Sequence, residues 1–210
     1  MKLFAFGDTH GDFFVLEYNK ELAKKADLVA CIGDVSVFSE HLEEIIPHLA
    51  TMHEDILLIH GNHEDADDVN ALSAPHKSIH FCHKKISKRE GYTFVCYGGD
   101  GFSQIDEEFE TFIESIKDEL TPKKTIFILH GPPHNTKIDV PFEDHHSGSL
   151  SYRKIIEDVQ PLLVLSGHIH EGEHLIDSIG KTLILNPGPD GELIDLEVLS
   201  KEREEKEKKT

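Results

Sequence analysis

The sequence predicts an α/β fold built on mixed sheets, and three observations predict it. Short apolar runs rich in Val, Ile, Leu and Phe recur along the chain, each stopping at a polar or Gly-containing turn. Amphipathic stretches with helical spacing separate them. Hairpin-like pairs interrupt this alternation in two places, which argues against a simple doubly wound sheet.

The strand candidates bearing polar turns cover residues 2–6, 28–32, 56–60, 125–129 and 162–165. Runs this short and continuously apolar suit strands covered on both faces. Helices are expected over 12–26, 39–52, 106–120 and 150–159. In the third, Phe109, Phe112, Ile113 and Ile116 give the i, i+3, i+4, i+7 stripe of a core-facing helix. The fourth should end near Pro161. Residues 79–86 and 92–97 read as strands around a Lys-Arg-Glu-Gly turn. Residues 175–177 and 181–185 flank a hairpin turn at Ser178-Ile179-Gly180, and 193–199 is expected to pair with them. The run 201–210 is nearly all charged, either a solvated helix end or disordered, with nothing in it that suggests function.

Composition narrows the class. Hydrophobic residues at 38% and charged residues at 29% are ordinary for a soluble domain. No apolar stretch approaches the roughly 20 residues of a membrane span, and the first six residues read as a strand, not a signal peptide. Cys31, Cys82 and Cys96 sit singly in apolar runs, as buried thiols do in a reducing compartment, so a cytoplasmic location is expected. With 21 basic against 40 acidic residues the formal charge is −19. Nucleic acid polymers, whose binding rests on Lys and Arg neutralising phosphates, are not expected partners. A small phosphorylated substrate is compatible, because bound dications invert the sign inside a site.

The informative residues lie where the apolar runs stop: Asp8-Thr9-His10, Gly33-Asp34, Gly61-Asn62-His63-Glu64, His130-Gly131 and Gly167-His168-Ile169-His170. They supply carboxylates, an amide oxygen and imidazoles, the mixed donor set that divalent transition metals favour. Alternate residues leaving a strand point the same way, so Asp8 and His10, and likewise His168 and His170, should reach one ion together. Asp34 has two oxygens and can bridge two ions. Taken singly the motifs are weak: Gly-Asp after a strand is usually a turn, and Asn after Gly is a common helix cap. Together, at successive strand ends, they point to a two-metal hydrolytic centre.

As a set, Gly-Asp-x-His, Gly-Asp-x, Gly-Asn-His-Glu, a lone His after a strand and Gly-His-x-His resemble the calcineurin-like metallophosphoesterase superfamily. The resemblance covers residues 3–170 and, more loosely, the strands to 199. It implies a four-layer α/β/β/α sandwich of two mixed sheets, a single metallophosphoesterase domain over 1–199 and a charged tail over 200–210. It further implies two divalent transition metals (Mn, Fe, Ni, Zn or Co). Asp8, His10 and His170 would hold the first, Asp34 would bridge, and Asn62, His130 and His168 would hold the second. A metal-bridging hydroxide would attack phosphorus, with Asp34 and His63 as the catalytic residues and His63 assisting the leaving group. Asn62 and His63 would also meet substrate. His134, in the loop 132–149 with His145 and His146, is a further candidate for substrate contact. Asp12 and Asp65, next to ligands, are candidate partners for metal-bound imidazoles. Asp100 reads as a turn residue, and His41, His48, His53, His60, His76, His80, His83 and His174 as surface or satisfied groups.

Two departures narrow the branch. The protein Ser/Thr phosphatases carry Gly-Asp-x-Val-Asp-Arg-Gly, whereas Gly33-Asp34-Val35-Ser36-Val37-Phe38-Ser39 lacks both the Asp that orients the catalytic His and the phosphate-gripping Arg. Only Arg89, Arg153 and Arg203 exist in the chain, so bidentate recognition of a monoester dianion is poorly provided. The resemblance is closest to small prokaryotic phosphoesterases and brain-type metallophosphodiesterases, and a phosphodiesterase is favoured. The alternatives are a phosphomonoesterase or nucleotide pyrophosphatase, and a scaffolding module, which would be expected to have lost ligands. A double-strand-break nuclease of this family would be expected to carry extra DNA-binding parts. Specificity should lie in the rim loops 66–80, 98–105 and 132–149.

Overall fold

The computed structural model describes residues 1–99, 101–143 and 145–208; the turn expected at Asp100 lies outside them. Two mixed sheets stack face to face. The first runs β11-β1-β2-β3-β4, from β1 (Lys2–Phe6), β2 (Leu28–Cys31), β3 (Ile56–Leu58), β4 (Ile79–Phe81) and β11 (Glu192–Asp195). The second runs β5-β6-β7-β8-β10-β9, from β5 (Lys85–Arg89), β6 (Tyr92–Tyr97), β7 (Thr125–Leu129), β8 (Leu163–Leu165), β9 (Ile176–Ile179) and β10 (Thr182–Leu185). Strands β1 to β4 are mutually parallel, as are β6, β7, β8 and β10, while β11, β5 and β9 are antiparallel edges.

Side-chain alternation along the strands produces four layers. Leu3, Ala5, Leu28, Ala30 and Leu57 of the first sheet meet Phe94, Cys96, Ile126, Ile128 and Leu163 of the second between the sheets. The residues in between face outward: Phe4, Phe6, Val29, Cys31, Ile56 and Leu58 pack under α1 (Phe13–Ala23), α2 (Leu42–Ala50) and α3 (Ala66–Ser73). On the other side Val95, Phe127, Leu129 and Val164 pack under α4 (Glu107–Ile116) and α5 (Leu150–Val159). This is the α/β/β/α sandwich, and it explains the continuously apolar strands: every central strand is covered twice. The three cysteines are buried and unpaired.

Three expectations about strands and loops are corrected. The run 79–86 is not one strand. It breaks at Cys82-His83-Lys84, with Lys84 at φ +53, so β4 closes one sheet and β5 opens the other. Residues 193–199 do not join the β9–β10 hairpin: Glu192–Asp195 pairs antiparallel with β1, Leu193 opposite Phe4. The chain then turns into α6 (Leu196–Glu207), started by the Asp195 carboxylate accepting the N–H groups of Glu197 and Val198. Helix α6 crosses the 199/200 boundary, and Arg203, 7% exposed, donates to the carbonyls of Pro122, Gln160 and Pro161. The expected rim loop 66–80 also contains α3, capped by Asp65.

Candidate active site

The motif residues stand at the carboxyl ends of β1, β2 and β3 in one sheet and of β7 and β8 in the other, where two parallel sheets deliver chain to one rim. They do not arrive as extended strand ends. Asp8 (φ +52), His10 (φ +46), Asp34 (φ +50) and His168 (φ +70) are all left-handed, a region that Asp and His enter more readily than most residues but at some strain. The expectation that alternate residues converge because the chain stays extended is therefore wrong in cause. Convergence comes from tight turns interlocked by backbone hydrogen bonds: Asp8 N–H to Gly33 carbonyl, His10 N–H to Asp34 carbonyl, Gly11 N–H to Val35 carbonyl. Glycine is required where these turns cross. A Cβ on Gly61 would lie 2.0 Å from Asp34 Oδ1, and one on Gly167 would lie 2.2 Å from Asp8 Oδ2.

Three close-set donor groups result among the described residues: Asp8, His10 and His170; His10, Asp34 and His63; and Asp34, His130 and His168. Within each, the donor atoms all lie within 4.8 Å of one another. Asn62 Oδ1 joins the last group, 3.0 Å from His130 Nε2 and 2.7 Å from His168 Nδ1. Asp34 belongs to two groups and sits between the others, with Oδ1 accepting the His63 N–H at 2.9 Å. Asp8, Asp34 and His130 are at most 4% exposed, while His10, His63 and His168 are half-buried and open to the rim.

The ring nitrogens are set for lone-pair donation. His130 Nδ1 lies 2.9 Å from the Ile32 carbonyl and so carries the proton, leaving Nε2 free to face Asn62 and Asp34. His10 Nδ1 faces the Ser36 carbonyl in the same way, and its Nε2 lies 3.1 Å from His170 Nε2. Two imidazole lone pairs aimed at each other need a proton or a cation between them. Metal–nitrogen and metal–oxygen bonds of about 2.0–2.2 Å would span such a group. The residues therefore fit divalent ions.

Electrostatics agree with a cation-binding cluster. Burial pushes the Asp8 carboxyl up to about 6, the nearby His130 opposing and Asp34 adding to the shift. Burial would raise Asp34 as well, but its bond and charge contact with His130 hold it at about 2. Burial would depress His130, yet the same carboxylate carries it to about 9. Without an ion, a buried proton neutralises part of the cluster.

Other expected residues are placed differently. Asp12 and Asp65 do not support imidazoles; each caps a helix, Asp12 accepting from Phe14 and Val15 and Asp65 from Asp67 and Asp68. His134 is in none of the three groups; it stacks edge-on to His146 beside the buried Asp139, whose carboxylate accepts the N–H groups of Asn135, Thr136 and Gly148. His60 is neither surface nor satisfied: it is 8% exposed, its Nδ1 has no partner, and with His83 it lines a polar cavity behind Gly98 and Gly99. Two residues escaped the sequence reading. Glu64 receives the N–H groups of Asp34, Ser36 and Gly61 and the Ser36 hydroxyl. Phe38 donates its N–H to His63 Nδ1 at 3.3 Å and lays its ring on that imidazole. The buried-acceptor role of Glu64 had one signal, a carboxylate directly after the ligand motif; Phe38 had none.

Burial depresses the imidazoles of His60 and His83, each to about 4. Both stay neutral in the fold, while the unfolded chain protonates them near 6.5. Stability is thus lost as pH falls from about 6.5 towards 4, by about 2 kcal/mol at pH 5 for His60. In chelator, lowering pH from 7 to 5 should depress the thermal midpoint of the wild type by about 4–8 °C more than that of His60→Asn. Equal pH sensitivity would contradict this account.

The sandwich and its donor cluster define a metal-dependent hydrolase of the α/β class. The chain belongs to the calcineurin-like phosphoesterase family, whose model matches residues 1–172, and is accordingly a metal-dependent phosphoester hydrolase. In fold it is similar to protein TT1561 of Thermus thermophilus (18% identity, TM-score 0.74, covering 94% of this chain and 95% of that one). It is also similar to the phosphopantetheinyl hydrolase of Mycobacterium tuberculosis (13%, TM-score 0.55, 89% and 88%), and to an archaeal phosphodiesterase (14%, TM-score 0.50, 90% and 84%). No curated protein matches the sequence. No helix among the described residues is long and apolar enough to cross a membrane.

Proposed function

We propose that this chain is a phosphodiesterase acting on a small phosphorylated molecule with two divalent transition metals, manganese among the candidates. Asp8, His10 and His170 would hold one ion, Asn62, His130 and His168 the other, and Asp34 both. Residues 1–199, together with α6, would act as one domain in the cytoplasm, a location that the buried, unpaired cysteines favour. Ions bound there would acidify a water and neutralise phosphoryl charge.

The chain's own groups would do the rest. The Phe38 N–H donates to His63 Nδ1, so that ring carries its proton on Nε2. His63 is thereby poised to steady the departing oxygen with a hydrogen bond from Nε2–H, without the carboxylate partner that the Ser/Thr phosphatase branch uses. Asp34, by accepting the His63 backbone N–H, ties that donor to the metal cluster.

The observation that carries the diester reading is the commitment of every arginine elsewhere. Arg89 pairs with Asp55, Arg153 with Glu157 and the carbonyls of His134 and Asn135, and Arg203 with three carbonyls below α6. No guanidinium remains to grip the second phosphoryl charge that a monoester dianion carries. The formal charge of −19 further favours a small substrate over a nucleic acid polymer.

Protein stripped of metal and reloaded with Mn²⁺ should hydrolyse bis(4-nitrophenyl) phosphate and turn over 4-nitrophenyl phosphate at least about tenfold less efficiently, a difference of roughly 1.4 kcal/mol. The stripped protein should do neither. A preference for the monoester would favour a phosphomonoesterase or pyrophosphatase, and turnover of neither by metal-loaded protein would reject a general phosphodiesterase.

A further inference from the structure

Phe38 is 76% exposed, yet its backbone is held at φ +49 and followed by Ser39 at φ +62. Consecutive left-handed residues, neither of them glycine, store strain of about 1–3 kcal/mol each. An exposed phenylalanine gains nothing from the core that would offset this. A single exposed apolar residue is unremarkable in itself; one fixed in a strained turn against the site is not.

The turn has a fixed target. The Phe38 ring centroid lies 4.5 Å from that of His63, tilted by 31°, and its N–H bonds the same imidazole. The Ser39 N–H bonds the His63 carbonyl. One face of the aromatic ring is thus spent on His63 while most of its surface faces solvent beside the leaving-group side of the cluster. At the other end of the cluster, past Asp34, Phe102 stands edge-on to His168 with centroids 4.6 Å apart, and it is 67% exposed. Apolar rings therefore border a strongly polar cluster at both ends.

We infer that Phe38 is a stacking platform, and that the substrate is a phosphoester whose ester group carries a planar aromatic ring. The inference rests on the reading of the cluster as a phosphoester-binding metal centre. A ring stacked on the free face of Phe38 would lie at the His63 end of the cluster. It needs no cation for recognition, in keeping with a site whose arginines are all engaged elsewhere.

Non-hydrolysable ligands separate this inference from the reading beneath it. Calorimetry on Mn²⁺-loaded protein in mildly acidic buffer would compare phenylphosphonate with methylphosphonate, both then mostly monoanionic as a diester is, which offer the same head group with and without a ring. Phenylphosphonate should bind about tenfold more tightly, in line with aromatic stacking at other sites. In Phe38→Ala the ratio of the two affinities should fall to near one, and in Phe38→Tyr it should return. Methylphosphonate binding reports whether the site of each variant is intact. A nucleoside phosphonate as third ligand assigns the ring: tighter binding than phenylphosphonate identifies a base, weaker binding a simple aryl group. Equal affinities in the wild type, or a ratio unchanged by Phe38→Ala, would overturn the platform while leaving the metal centre standing. Failure of both phosphonates to bind metal-loaded protein would sink the centre and the platform together.

Discussion

Asp34→Asn should lower kcat/KM by on the order of 10³-fold and leave fewer than two metals bound per chain. The carboxylate is 2% exposed, and it shares one donor group with His10 of the first proposed ion and another with His130 and His168 of the second. Asparagine keeps the shape, and its one oxygen can still accept the His63 N–H. What it loses is the charge and the second donor oxygen, which makes the variant a test of bridging and not of packing. A second readout comes from the metal-free protein. His130, raised to about 9 chiefly by Asp34 against the pull of burial, contributes stability that is complete below about 6.5 and lost as pH rises through 9. The variant should therefore be less stable than the wild type near pH 6 in chelator, and the gap should close towards pH 9. Wild-type turnover with two ions bound would refute the assignment of Asp34.

The candidate donor cluster was legible because its chemistry constrains sequence as well as space. Gly61 and Gly167 stand where no Cβ fits beside Asp34 and Asp8, so the motifs at Asn62 and His168 announce themselves with a glycine. The layers were legible for a similar reason: strands covered on both faces are built almost wholly of apolar residues, and β7, Thr125–Leu129, is buried throughout. What stayed hidden depends on distant partners. Residues 193–199 looked ready to extend a neighbouring hairpin, but β1, almost the whole chain away, offers the open edge and takes up 192–195. The start of α3 was legible and missed: Asp65 followed by Asp67 and Asp68 is a cap with an acidic first turn. Phe38 could not be read at all, since its significance lies in a positive φ and a ring placed on His63.

Glu64→Gln should lower the thermal midpoint in chelator by about 6–12 °C, corresponding to roughly 3 kcal/mol in a chain of this size. Glu64 is 7% exposed and presents two oxygens to four donors: Oε2 takes the N–H groups of Asp34 and Gly61, and Oε1 takes the N–H and hydroxyl of Ser36. Burial and the charge of Asp34 push its carboxyl up, while these donors oppose the shift. A glutamine must turn its NH₂ towards one pair or the other. Facing Oε2's partners, it leaves two buried N–H groups without acceptors; facing Oε1's, it leaves one, because the serine hydroxyl can rotate to accept. Each orphaned donor costs about 1–3 kcal/mol. The damage should reach the metal cluster, since Glu64 joins the turn carrying Asp34 to the turn carrying Gly61 and Asn62. Loosening that joint should weaken Mn²⁺ binding by about 10–100-fold, the range seen when groups behind metal ligands are removed. An unchanged midpoint in chelator would mean that the four donors find other acceptors, and normal metal affinity beside a lowered midpoint would confine Glu64 to the fold.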